Sequence, residues 1–125
     1  MRLPTPFDPI EVGETDNFAF DFTAEMGAAT IASTSWVCAL APYQTASDPA
    51  PQSRVLSASA QAAIQVRSPG DGSLQTRVGS FSIASIGGMP ASAAGGTYIL
   101  EATANLSDGR VLKLNATVQC RLPGP

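Results

Sequence analysis

The side chains that could support catalysis or hold a metal are few and scattered. Histidine is absent, so no Ser–His–Asp or Cys–His arrangement can form. Three carboxylates, Glu11, Glu14 and Asp16, lie close together before the first predicted core strand. Paired catalytic carboxylates need a sugar-binding cleft, so we interpret these three as a solvated acidic edge that discourages strand pairing, with a weak cation site as the alternative. We therefore predict a protein that is not an enzyme and takes no cofactor or metal.

Two other features have a chemical and a structural interpretation. The Gly70-Asp71-Gly72 stretch resembles a fragment of a calcium loop, but the other acidic ligands of such a loop are missing, and a turn is the better interpretation. The cysteines Cys38 and Cys120 are too far apart for a CxxC redox or zinc motif. We interpret them as small buried hydrophobes. A disulfide between them stays open, because both occupy inward-facing positions of predicted strands.

Charge and hydropathy exclude several classes of partner. Seven basic residues face ten acidic ones, the net charge is −3, and Lys113 is the only lysine. Nucleic-acid binding and polybasic membrane contact both need clustered Lys and Arg, so we expect neither. No apolar run approaches the roughly 20 residues of a membrane span. The N-terminal sequence is interrupted by prolines and does not match the pattern of a secretion signal. We therefore expect the protein to fold in the cytoplasm.

The elements that carry these residues are predicted to be strands. Phe18, Phe20 and Phe22 alternate with small or polar residues, which is typical of a half-buried strand. A second strand, Ile31 to Leu40, has Trp36 on the same face as Cys38. A long proline-rich loop follows, from residue 41 to 54, with Tyr43 as its candidate contact residue.

The second half of the chain continues the pattern. Leu56 to Val66 alternates between an apolar even-numbered face and a polar odd-numbered one, and a turn at Ser68–Ser73 leads to a strand from Leu74 to Ile86. In this last strand Gly79, Phe81 and Ile83 share one face. A flexible loop, Gly87 to Gly96, precedes the terminal hairpin.

The terminal hairpin completes the predicted core. Tyr98 lies on the inward face of its first strand, Asp108-Gly109 forms the turn, and Leu112 and Leu114 lie on the inward face of its second strand. The fold predicted is an all-β, antiparallel immunoglobulin-like sandwich of about seven strands over residues 13–121. Residues 1–12 are predicted to be an extended arm and residues 122–125 a tail. The predicted core is Phe18, Phe20, Phe22, Trp36, Tyr98, Leu112 and Leu114, and the candidate interface residues are Phe7, Ile10, Tyr43 and Met89, with the Gly87–Gly96 loop.

The order of several weak motifs resembles a known family. They are Asp8-Pro9, the aromatic strand Phe18–Phe22, the run Thr30–Val37, and the hairpin from Gly95 to Val118, which together cover about half of the chain. This arrangement is similar to the phage fibre–tail adaptors, small immunoglobulin-like proteins of tailed phages. The segment between Trp36 and Leu74 is longer than in that family.

The resemblance implies a non-enzymatic virion protein that joins the tail or neck to tail fibres. It implies multiple copies in a symmetric assembly, other virion proteins (tail, neck or fibre subunits) as partners, and synthesis in the host bacterial cytoplasm. The longer central segment leaves two alternatives open. One is a capsid decoration protein, and the other is a host- or carbohydrate-binding module that uses Tyr43.

Overall fold

Two packed β-sheets form the protein. The computed structural model describes residues 7–122, and strands hold 58% of these residues against 9% for helices. The predicted all-β two-sheet architecture is therefore confirmed. The elements are β1 (Ile10–Glu11), β2 (Thr15–Asp21), α1 (Thr23–Met26), β3 (Ile31–Leu40), β4 (Val55–Arg67), β5 (Leu74–Gly87), β6 (Thr97–Leu106) and β7 (Val111–Arg121), with 3-10 turns at Pro51–Arg54 and Ala91–Ala93.

The sheets contain four and three strands. The first has the order β1-β7-β6-β3 and the second has the order β2-β5-β4. All neighbours are antiparallel except β1 and β7, which pair in parallel with Ile10 opposite Cys120. The short helix α1 lies in the connection between β2 and β3.

Aromatic side chains fill the space between the sheets. Phe18, Phe20, Phe22, Trp36 and Tyr98 are all buried. The Phe20 and Trp36 ring centroids are 5.0 Å apart, which joins β2 of one sheet to β3 of the other. The indole Nε1–H of Trp36 donates to the Ser82 hydroxyl at 2.7 Å, and Ser82 also shares a hydrogen bond with Thr34. This polar contact satisfies the indole inside an otherwise apolar core.

Leu112 and Leu114, predicted as core, are only half-buried. They lie near the start of β7, whereas β1 pairs only with Cys120 and Arg121 at its end. Among residues 7–122, the start of β7 thus has β6 on one side and no strand on the other. The core around β7 is centred on Val118 and Cys120, which are buried.

The predicted N-terminal arm is part of the sandwich from Phe7 onward. Phe7 is 3% exposed and packs edge-on against Phe18, with ring centroids 4.9 Å apart. Ile10 is fully buried in β1. The prediction that these two side chains form an interface is therefore wrong, because the chain's own core covers them. Residues 1–6 of the arm and 123–125 of the tail lie outside the described residues, while Leu122 is exposed.

Met89 and its loop are also integrated into the fold. The Met89 side chain is 1% exposed, and its carbonyl accepts a hydrogen bond from Gly13 N–H at 3.2 Å. Further along, the Gly95 N–H donates to the Cys120 carbonyl and the Cys120 N–H donates to the Gly96 carbonyl. The predicted interface role of Met89 is wrong, since this segment closes one end of the core.

Cys38 and Cys120 are both buried free thiols. They lie on β3 and β7 of the same sheet, which β6 separates. Two strand spacings of about 4.8 Å already exceed the roughly 7 Å Cα–Cα limit of a disulfide. The disulfide that the sequence left open is therefore not formed, and the interpretation as buried hydrophobes fits both residues.

Candidate interaction surfaces

A buried carboxylate fixes the proline-rich loop between β3 and β4. The Asp48 side chain is fully covered and accepts hydrogen bonds from Arg54 Nε at 2.8 Å and Nη2 at 2.7 Å. The Tyr98 hydroxyl donates to the same carboxylate at 2.5 Å. Arg54 also donates to the Gly88 carbonyl at 2.8 Å. We call Asp48, Arg54 and Tyr98 the clasp, because they join the loop to β6 and to the segment after β5.

The charges of the clasp stabilise one another. Hydrogen bonding from Arg54 is the main cause that holds the pKa of Asp48 well below its usual range, and the Tyr98 hydroxyl adds to it. Burial, reinforced by the neighbouring Asp48, raises the pKa of Tyr98. Burial also raises the pKa of Cys38 to about 12, with the Asp48 charge as a second cause. The clasp is thus an ion pair with a neutral phenol, and the thiol beside it is a poor nucleophile.

Tyr43 is presented to solvent on a fixed turn of the same loop. Its side chain is 103% exposed, and its backbone has a φ of +63°. The adjacent Gln44 side chain donates to the carbonyls of Ala41 and Thr97 and accepts from the Thr97 N–H. These three bonds hold the turn against β6. Of the four candidate interface residues, Tyr43 is the one that the structure exposes.

A second glutamine in the loop closes the free edge of β3. Gln52 Oε1 accepts the Cys38 N–H at 3.0 Å, and Gln52 Nε2 donates to the Trp36 carbonyl at 2.9 Å. The amide therefore takes the place of a neighbouring strand at this point of β3. An edge strand with its backbone groups satisfied in this way cannot accept another strand there.

The β4–β5 hairpin is the largest exposed element. β2 ends at Asp21, which pairs with Phe81 of β5, so the remainder of β5 has β4 as its only strand neighbour. Leu74 is 61% exposed and Val78 is 80% exposed in this part. The predicted apolar face of β4 is also largely in solvent: Leu56 is 58% exposed, and only Ile64 is buried. The alternation of β4 therefore places its apolar residues on one face, but the fold leaves most of this face in solvent.

An extra residue in β5 interrupts the predicted common face of Gly79, Phe81 and Ile83 between Gly79 and Phe81. Gln61 pairs with Phe81 and Ala63 pairs with Val78, so β5 has one more residue than β4 across this interval. This β-bulge changes the alternation of β5. Beyond the bulge, Ser82 accepts the Trp36 indole N–H in the core, while Ile83 lines a shallow depression of about 400 Å³ beside Ser59 and Gln61.

The described residues contain no cluster with an evident chemistry. No group of three or more His, Cys, Asp or Glu side chains within residues 7–122 is placed to hold a metal ion. In the acidic segment, the Glu11 N–H donates to Glu14 Oε1 at 2.9 Å. A second shallow depression, about 230 Å³, lies between Ile31 and Ala60 and has no charged side chain in its lining. No helix of residues 7–122 is long and apolar enough to cross a membrane.

Sequence reasoning missed the residues that fix the loop. Asp48, Arg54, Gln44 and Gln52 are single polar residues within a proline-rich segment, and their partners lie on distant strands. Asp48 followed by Pro49 signals a turn at most. The charge count offers a weak clue, because Asp48 and Arg54 are the only two charged residues between Glu25 and Arg67. Comparison of the chain with protein-family models, curated proteins and solved structures finds no match.

Proposed function

We propose that this chain is a non-enzymatic structural protein of a bacteriophage virion, an adaptor that joins the tail or neck to tail fibres. The motif order at Asp8-Pro9, Phe18–Phe22, Thr30–Val37 and Gly95–Val118 suggests the family. Its partners are then other virion proteins, and neither nucleic acid nor membrane is among them. The chain would be made in the host bacterial cytoplasm and work in multiple copies within the particle.

The strand order supports an immunoglobulin-like classification within this proposal. A sheet of order β1-β7-β6-β3 packs on a sheet of order β2-β5-β4, with the first strand parallel to the last. Sandwiches of this class carry function on surfaces outside a packed core. The adaptor proposal therefore depends on a surface, and not on a pocket.

The observation that carries the proposal is the exposed β4–β5 hairpin, whose first strand is uncharged up to Arg67. From Val55 to Val66 the chain has no charged residue, and Leu56, Leu74 and Val78 are exposed along the hairpin. An apolar, weakly charged surface beside a rigid sandwich favours contact with another protein.

The experiment is the solution mass of the purified protein, alone and mixed with the products of the genes encoded beside it. A defined complex with a tail, neck or fibre protein supports the adaptor. Leu74→Lys combined with Val78→Lys should weaken that complex, while Val111→Lys, at an exposed position of β7 away from the hairpin, should not. Binding to the capsid at a copy number that follows capsid symmetry would replace the adaptor with a decoration protein.

Tyr43 favours one second candidate, a host- or carbohydrate-binding module. A fully exposed aromatic ring on a fixed turn is the kind of side chain that stacks on a sugar. A glycan array with the wild-type protein and Tyr43→Ala tests it. Binding that is lost in the variant supports this candidate, and binding that is absent in both contradicts it.

A further inference from the structure

We propose that β4 is a self-association edge, at which the β4 strands of two copies pair antiparallel across a two-fold axis. The pairing is centred on Gln61 and joins two three-stranded sheets into one continuous sheet. This inference goes beyond the virion role and does not depend on it.

The other sheet edges are protected against strand addition. The start of β7, which has no strand neighbour but β6 among the described residues, contains the exposed charge of Lys113. β1 is two residues long and follows Pro9. In β2 the Asp16 carboxylate accepts the backbone N–H of Asn17 at 2.8 Å. Gln52 occupies the edge of β3 at Trp36 and Cys38, as described above. These are recognised ways to prevent edge-to-edge pairing.

The part of β5 beyond β2 is protected as well. It contains Arg77 and the bulge, and the Ser80 N–H donates to Thr23 Oγ1 at 2.9 Å. Charge and irregular backbone both oppose the pairing of this segment with another strand.

From Ser57 to Val66, β4 has none of these devices, although an extra residue at Leu56 gives it a bulge near its start. It runs for 13 residues without proline, and it has no charge before Arg67 at its end. Its register with β5 shifts, but no side chain or backbone group of residues 7–122 other than those of β5 is hydrogen-bonded to the β4 backbone between Leu56 and Val66. Leu56 to Ala63 are exposed throughout. A long, neutral, exposed edge is a template for strand pairing.

The sequence of β4 is complementary to itself in one register. Antiparallel pairing about Gln61 places Leu56 opposite Val66 and Ala58 opposite Ile64 on the even-numbered face. On the odd-numbered face the same register places polar Ser57 opposite Gln65. Apart from Ser59, which lies opposite Ala63, apolar residues therefore meet apolar ones and polar residues meet polar ones, which is the arrangement that stabilises neighbouring strands.

Charge selects the direction of the pair. In the antiparallel register Arg67 lies opposite the neutral Val55, so the arginines of the two copies are at opposite ends of the new strand pair. A parallel pair would place Arg67 directly beside its equivalent, which is destabilising. The two-fold contact also closes after two copies, so it does not propagate into fibres.

The expected area makes this a weak, reversible dimer. A strand of 13 residues is about 44 Å long, and an edge about 10 Å thick gives roughly 440 Å² per copy. The total of about 900 Å² is below the ~1,600 Å² of a standard stable complex. We therefore expect a monomer–dimer equilibrium that depends on concentration.

Sedimentation equilibrium over a micromolar-to-millimolar concentration series tests the proposal with charge variants at the axis. Gln61→Lys places two ammonium groups opposite each other and should raise the dissociation constant at least about tenfold. Gln61→Glu should do the same. An equal mixture of the two variants should restore dimers, because opposite charges then meet. Gln119→Lys, at an exposed position of β7, is the matched control and should dimerise like wild type.

We expect the variants to fold, because Gln61 is exposed and its amide donates a hydrogen bond to the exposed Ser59 hydroxyl. Circular dichroism checks this. A wild-type protein that stays monomeric at millimolar concentration overturns the proposal. Folded lysine and glutamate variants that dimerise as tightly as wild type, or a mixture that does not rescue dimers, also overturn it. None of these results bears on binding to a tail or neck protein, which has its own test.

Discussion

Two residues of the loop between β3 and β4, Tyr43 and Asp48, differ in their exposure and in their expected effect on stability. Tyr43 adopts a conformation that non-glycine residues avoid, and it contributes no buried surface. Asp48, five positions on, is fully covered and joins three parts of the fold. The loop therefore has an exposed residue, Tyr43, in an unfavourable backbone conformation. The buried Asp48–Arg54 ion pair and the Gln44 amide hold the loop backbone in place.

Tyr43→Gly should raise the free energy of unfolding by about 0.5–1 kcal/mol, because glycine adopts a positive φ without steric strain. Tyr43→Ala keeps the strained backbone and should leave stability within about 0.5 kcal/mol of wild type. Urea denaturation of the three proteins measures the difference. A glycine variant less stable than the alanine variant would contradict the assignment of strain to this position.

Asp48→Asn should lower the free energy of unfolding by about 3 kcal/mol at pH 7, because Arg54 loses its buried counter-charge. The pKa of Asp48 is lowered in the folded protein, so its contribution is complete above its unfolded value near 4. The contribution declines as the pH falls below that value towards the lower folded pKa. The stability difference between wild type and variant should thus be smaller at about pH 3 than at pH 7. An equal difference at both pH values would show that the carboxylate charge is not responsible.

At the scale of elements, the edge strands β3 and β4 differ in how far their edges are covered. The edge of β3 is closed by a side-chain amide, whereas β4 exposes its edge and most of its side chains. The beginning of β5 has β4 as its only strand neighbour, and a two-stranded ribbon is marginally stable by itself in water. The stability of the β4–β5 hairpin therefore depends on its pairing with β2 and on any partner that covers its exposed part.

Gln52→Ala should destabilise the protein by about 1–3 kcal/mol, because two backbone groups of β3 lose their partners. Gln65→Ala is the control: the Gln65 amide donates to Thr76 on the exposed surface of the hairpin, and its loss should change stability by less than about 0.5 kcal/mol. Thermal denaturation compares the two variants. Light scattering should also show more aggregation for Gln52→Ala, since a second edge becomes open. Equal stability of both variants would show that the Gln52 hydrogen bonds to β3 do not stabilise the protein.

For the whole molecule, the two buried thiols report on global unfolding. Burial raises the pKa of both Cys38 and Cys120, and both are nearly inaccessible. Native protein should therefore react slowly with a thiol-alkylating reagent at pH 7, and denatured protein should take up two equivalents without prior reduction. Mass spectrometry after each treatment measures the uptake. Denatured protein that takes up reagent only after reduction would indicate a disulfide and contradict the fold described here.

The predictable part of this fold is the part set by local alternation. The strand Ile31–Leu40 and the Asp108-Gly109 turn follow from patterns within a few residues. Burial of Phe7, Ile10 and Met89 depends on strands that lie far away in sequence, so their hydrophobic character alone did not distinguish core from interface. The bulge near Gly79 separates this residue from the face of Phe81 and Ile83, because one added residue inverts an alternation that has a period of two.

The candidate surface could be predicted only at Tyr43. Its position in a proline-rich loop suggested exposure, whereas the exposed even-numbered face of β4 looks in sequence like a buried one. Small residues such as Ala58 and Ala60 fit either environment. Which of the two they occupy depends on where the opposite sheet ends, and no local pattern encodes that boundary.

The parallel contact between the first and last strands has a mechanical consequence. Phe7 N–H donates to the Thr117 carbonyl and Val12 N–H donates to the Arg121 carbonyl, on either side of the β1–β7 pairs. Tension that pulls the N-terminal side of β1 and the C-terminal side of β7 apart would slide these strands along each other. The bonds would then be loaded together in shear, and not broken one at a time. A chain held at its two ends would resist stretching until this whole set of bonds failed at once.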